Sequence, residues 1–185
     1  WPWTGLVLSL SLQSSAEPLL VVGMSGAVVP GTVFVESSTA LGMTYGTTVD
    51  RGLCLADVNG DGLTDVFLAR LSQPNQLFVQ TGGDAGTSFT ESAVAFGVAG
   101  GPANVSSSCA FADIDGDGDV DLYVGLGSSL TDQLYINNGG GAGFVEQGAA
   151  RGIDDTGNTI GVSWGDVDGD GDLDLFVCQY GARNV

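Results

Sequence analysis

Apolar residues in this chain come in short runs that alternate with polar ones, and the runs recur. "GLCLAD" (52–57), "SCAFAD" (108–113) and "VSWGD" (162–166) each end in aspartate. "DVFLARL" (65–71), "DLYVGL" (121–126) and "DLFVCQ" (174–179) each begin with one. "QLFVQ" (76–80) and "QLYIN" (133–137) follow, and Phe-x-Glu returns at Phe34, Phe89 and Phe144, 55 residues apart each time. Runs this short, set between Gly, Asn and Asp clusters, read as antiparallel strands rather than helices.

Named A to D, four such strands at a period near 50 residues match one propeller blade. Glu36, Glu91 and Glu146 recur in register, as do Gly42, Gly97 and Gly152. The expected fold is all-β: tandem four-stranded antiparallel β-propeller-like blades, each A–B hairpin carrying an aspartate-rich loop. About three repeats fall near 30–85, 86–140 and 141–185. The strands run D, A-B-C-D, A-B-C-D, A-B, and "PLLVVGMSG" (18–26) reads as a C strand ahead of the first D. Propellers close with four to eight blades, so this set is not a closed ring by itself.

Residues 1–17 have no counterpart in the repeats, which occupy 18–185. Leu6, Leu8, Leu10 and Leu12 share one parity, the period of a strand. The same stretch also fits the end of a secretory signal cleaved after Ala16. As an arm, it is a candidate donor strand for a neighbouring subunit. The alternatives are an intrachain edge strand or a tail.

Charge sharpens the picture. There are 22 acidic residues against four arginines, with no lysine and no histidine, giving a formal net charge of -18. Nucleic acid is excluded as a partner, because its affinity comes from cationic side chains. Disorder fits badly with 43% hydrophobic residues. No run is long enough to span a bilayer. Without His or Lys the commonest general bases are missing, so no enzyme is expected. Glutamates that recur once per unit read as structural.

Thirteen of the acids lie in three strings with the pattern D-x-[DN]-G-D-G-x-x-D. These are the first nine positions of an EF-hand-type loop: side-chain oxygens at 1, 3, 5 and 9, glycine at 6, a backbone carbonyl at 7. The expected ligands in the first loop are Asp57, Asn59, Asp61 and Asp65, with the Leu63 carbonyl. In the second they are Asp113, Asp115, Asp117 and Asp121, with the Asp119 carbonyl. In the third they are Asp166, Asp168, Asp170 and Asp174, with the Asp172 carbonyl. The bidentate glutamate of position 12 is replaced by Leu68, Val124 and Val177 inside strands, so the loop joins a hairpin. About three Ca2+ ions are expected, one per repeat. Magnesium suits the loops less, because it keeps its waters.

Cys54, Cys109 and Cys178 have no metal spacing. They read as small buried hydrophobes, or as one disulfide and one remaining thiol. Asn104, in "NVS", is a glycosylation candidate.

The acidic loops, "QLYINNG", "GFVEQGAARGI" and the 55-residue period resemble FG-GAP/VCBS repeats over residues 30–181. These are the calcium-binding blades of integrin-alpha-type β-propellers and of many secreted proteins. The resemblance implies an extracellular fold with structural calcium, used in adhesion, recognition or assembly. Two functions follow. One is a secreted structural protein that self-associates head to tail into a fibre or surface layer, N-terminal strands completing the neighbour's last blade. The other is an adhesion module with a protein or glycan ligand, part of a larger propeller.

Overall fold

The structure is a computed structural model and describes residues 7–8, 21–22, 40–43, 50–82, 87–100, 105–153 and 156–181. Among these the chain is all β apart from one 3-10 turn at Ala149–Arg151. β1 (Val7–Leu8) pairs antiparallel with β2 (Val21–Val22). β3 (Asp50–Ala56), β4 (Asp65–Arg70), β5 (Gln76–Thr81) and β6 (Ser88–Glu91) form the first blade in chain order. β7 (Ser106–Ala112), β8 (Asp121–Leu126), β9 (Gln133–Asn137) and β10 (Phe144–Glu146) form the second. β11 (Thr159–Gly165) and β12 (Asp174–Gln179) pair as a third sheet of two strands. Among the described residues all pairings are antiparallel, and the sheets do not close into a ring. No helix among the described residues is long and apolar enough to cross a membrane.

The A-B-C-D reading corresponds to these strands, with one offset. Phe89-Thr90-Glu91 opens a sequence repeat but forms β6, which closes the first sheet. The leucine strand is described at Val7–Leu8 alone, and the C-like segment at Val21–Val22 alone. Phe34, Glu36 and the sequon's Asn104 lie outside the described residues; the sequon's Ser106 is buried at the start of β7.

Both faces of the B strands of the first two blades are covered, which is why these runs are apolar without a break, whereas β12 in the third is largely exposed. Every residue of β4 and β8 is buried. One apolar cluster, including Phe67, Leu77, Leu122, Val124 and Phe144, fills the space between the first two blades. A second, with Tyr123, Leu134, Ile136 and Val177, joins the second blade to the third. At equivalent repeat positions the same aromatic pair recurs across each junction. Phe67 meets Phe111 edge-on at 6.3 Å, and Tyr123 meets Trp164 at 6.2 Å. That geometry puts the positive ring edge on the negative face.

The recurring Phe and Gly are one contact made twice. Phe89 donates its N–H to the Leu41 carbonyl at 2.7 Å, and Phe144 donates to Phe96 at 2.8 Å. The next residue in each case, Gly42 or Gly97, has φ of +85° or +77°. A Cβ there would lie 2.6 Å from the Phe89 oxygen or 2.9 Å from that of Phe144. Only glycine allows both this φ and this approach. The repeated glutamates cap the turn that follows strand D: Glu91 Oε1 accepts from Ala93 N at 2.9 Å, and Glu146 Oε1 from Gly148 N at 2.7 Å.

Candidate metal centres

Each acidic string links strand A to strand B, so the hairpins β3–β4, β7–β8 and β11–β12 carry one loop each. The loop is wound around its first aspartate. Asp57 accepts N–H bonds from Gly60 at 2.8 Å, Asp61 at 3.1 Å and Gly62 at 2.7 Å. Asp113 does the same with Gly116, Asp117 and Gly118, at 2.8, 3.2 and 3.0 Å. Asp166 accepts from Gly169 at 2.7 Å and Gly171 at 3.1 Å. Aligning so many N–H groups on one carboxylate takes left-handed backbone at two places. Gly60 and Gly62, Gly116 and Gly118, and Gly169 and Gly171 all have φ between 74° and 96°. Sequence reasoning accounted for the glycine at position 6 only.

Position 5 steadies the turn further. Asp61, Asp117 and Asp170 accept from the N–H of Leu63, Asp119 and Asp172 at 2.8, 2.9 and 2.9 Å. At position 3, Asn59 and Asp168 accept from Asp61 N at 3.0 Å and Asp170 N at 3.1 Å. The result brings carboxylates together. Oxygens of Asp113, Asp115 and Asp117 lie within 4.8 Å of one another, and so do those of Asp166, Asp168 and Asp174. In the first loop an amide, Asn59, takes the middle place and donates to Asp61 Oδ2 at 3.1 Å.

Position 9 differs between loops. Asp65 is fully buried; its two oxygens accept from Val58 N at 2.9 Å and from Gln80 N, on β5, at 2.8 Å. Asp121 accepts from Ile114 N at 3.1 Å and from Asn137 N, on β9, at 2.8 Å. These carboxylates tie the loop to strand C. Burial holds both above the ordinary carboxylate range, their N–H bonds pull them down, and the neighbouring loop carboxylates push them up again. Asp174 is exposed, with Oδ2 accepting from Val167 N at 3.0 Å. Beside β12 no third strand is described, and Asp174 joins the carboxylate cluster instead.

Two participants are invisible in the loop pattern. Asn137 Nδ2 donates to the Val58 carbonyl of the first loop at 3.0 Å. Arg151 Nη2 meets Asp115 Oδ2 at 3.2 Å, an exposed pair of small energetic value. A polar residue ending an apolar C strand was the available signal for Asn137; nothing local pointed to Arg151.

All three donor sets are hard oxygens, and in the second and third loops three carboxylates stand side by side at the surface, which is the chemistry a divalent cation with many oxygen ligands requires. The residues therefore fit such an ion. A comparison with curated proteins finds no match. The sequence profile of the FG-GAP-like repeat matches residues 57–124 and again 113–177, so that each match runs from one acidic loop into the next. Together the matches span most of the chain, which belongs to the FG-GAP-like repeat family.

Proposed function

We propose that the chain is an extracellular, non-catalytic calcium-binding module, contributing blades of the integrin-alpha type to adhesion or recognition. The observation behind this reading is the loop built three times with one spacing and one carboxylate-centred turn. Asp57, Asn59, Asp61 and Asp65 with the Leu63 carbonyl would hold the first ion. Asp113, Asp115, Asp117, Asp121 and the Asp119 carbonyl would hold the second. Asp166, Asp168, Asp170, Asp174 and the Asp172 carbonyl would hold the third. Calcium, when bound, supplies the positive charge that offsets carboxylate repulsion and cross-links the loop. The chain's own part is to fix the frame: the position-1 aspartate gathers backbone N–H groups, and position 9 anchors the loop to strand C. The test is thermal melting in calcium and in chelator. At free calcium near a hundred times Kd, each site adds about 2.7 kcal/mol. Melting that ignores the chelator sinks the reading.

A second reading, head-to-tail assembly, is favoured by β12. Phe176 is 57% exposed, whereas Phe67 and Tyr123, at the same position of the other two blades, are buried. A strand from the N-terminal segment of a second copy would cover that edge with main-chain hydrogen bonds. Repetition without closure makes a fibre. Light scattering decides: large species in calcium that vanish when residues 1–17 are deleted support it, and monomers throughout reject it.

A further inference from the structure

Neighbouring blades touch along their A strands, and two thiols meet there. A Cβ added to Gly52 would lie 2.8 Å from Ser108 Cα, so this face of β3 presses on β7. Side chains alternate along a strand, which places Cys54, two residues on, on the same face. In β7 the parity is opposite. Ser108 Oγ turns toward the third blade, 2.5 Å from where a Cβ on Gly125 would sit. Cys109, the next residue, points the other way, back toward β3. Both cysteines pack on the apolar cluster between the first two blades, and the Cys109 sulfur lies near enough to raise the Cys54 thiol's pKa. Cys178 stands apart, exposed on β12.

We propose that Cys54 and Cys109 form a disulfide that staples the first blade to the second. The bond requires Cβ atoms about 3.8 Å apart, and both side chains, free thiols in this structure, enter the one interface between these packed strands. The thiols give up two protons and two electrons to a small external disulfide such as oxidised glutathione, which leaves as two thiols. Thiolate is the attacking form, and apolar surroundings followed by the Cys109 sulfur hold the Cys54 thiol well above the ordinary range. Exchange in the folded protein is therefore slow, and the bond forms as the blades close. This position suits a structural bridge and not a reactive thiol. The inference leans on the extracellular reading for its oxidant only, and the test supplies that oxidant directly.

The full chain is refolded in calcium with a reduced and oxidised glutathione mixture. Free thiols are then alkylated, and trypsin is added without reductant. Arg51, Arg70, Arg151 and Arg183 put each cysteine in its own peptide: 52–70, 71–151 and 152–183. The expected map joins 52–70 to 71–151 and leaves Cys178 alkylated. Reduction lowers the melting temperature by about 10 °C. Cys109→Val removes both the link and the redox shift; Cys178→Ser keeps both. Alkylation of Cys54 and Cys109 alike, or links running through Cys178, overturns the proposal. The wild-type map decides even if Cys109→Val fails to fold.

Discussion

Asn137, at the end of strand C in the second blade, donates through Nδ2 to the Val58 carbonyl in the first blade's acidic loop, 3.0 Å away across 79 residues. The same amide nitrogen reaches the Val120 carbonyl at 3.1 Å, and the Asn137 N–H reaches Asp121 Oδ1 at 2.8 Å. One side chain thus joins two acidic loops, and the order of one is felt by the other.

Asn137→Ala leaves two carbonyls without their donor at a buried junction. The expected loss is about 2 kcal/mol, or a melting temperature lower by about 6 °C in a chain of this size. Gln80 holds the same place in the first blade but serves Asp65 through its backbone N–H. Gln80→Ala should therefore stay within about 0.5 kcal/mol of the parent. Thermal melts of the two variants side by side check the contrast.

Gly97 and Gly152 occupy the same repeat position with φ of +77° and +82°. Alanine at Gly152 meets no atom within 4 Å and carries only the left-handed backbone penalty, about 1 kcal/mol. Alanine at Gly97 adds a Cβ 2.9 Å from the Phe144 oxygen, and the blade junction has to give. Gly97→Ala should be the more destabilising by at least about 1 kcal/mol. Equal losses in denaturant titrations would mean that the close approach is not a constraint.

Much of this was legible in the chain, because a repeat shows each rule more than once. Hairpin A–B carries the acidic string, strand B is apolar on both faces, and Phe-x-Glu forms strand D. What stayed hidden is long-range. The period showed that Phe89 and Gly42 matter, yet not that they touch. The loop pattern treated Asp65, Asp121 and Asp174 alike. Strand C decides their surroundings, burying the first two and leaving the third exposed among other carboxylates. Spacing within a loop carries no information about a strand that packs beside it. The cysteine pair was equally out of reach, since it depends on two A strands meeting face to face.

The pH dependence should change sign with calcium. Burial holds Asp50 above the usual carboxylate range despite the Arg70 guanidinium 3.0 Å away, and holds Asp65 and Asp121 up as well. A carboxyl raised on folding favours the folded state when protonated. Its contribution is complete below the unfolded value near 4 and is lost as pH rises through the higher folded value. In chelator, melting temperature should rise as pH falls from 7 toward 4. In calcium the bound ion favours the ionised loops, so the same acidification should lower it. Parallel slopes in the two buffers would remove either the burial argument or the metal.

Asp117 and Asp121 belong to one loop but should fail differently. Asp117 is exposed and steadies only the Asp119 N–H, at 2.9 Å. Asp121 is buried and accepts from Ile114 and from Asn137. Asp117→Ala should melt close to the parent in chelator and lose stability only when calcium is present, by up to about 2.7 kcal/mol where free calcium is a hundredfold above Kd. Asp121→Ala strips the acceptor from two backbone N–H groups and should cost about 2 to 4 kcal/mol with or without calcium. Calorimetric titration with calcium should count one site fewer in Asp117→Ala than in the parent. If that variant keeps the parent's site count and melts like it in both buffers, the second loop does not use position 5 as a ligand.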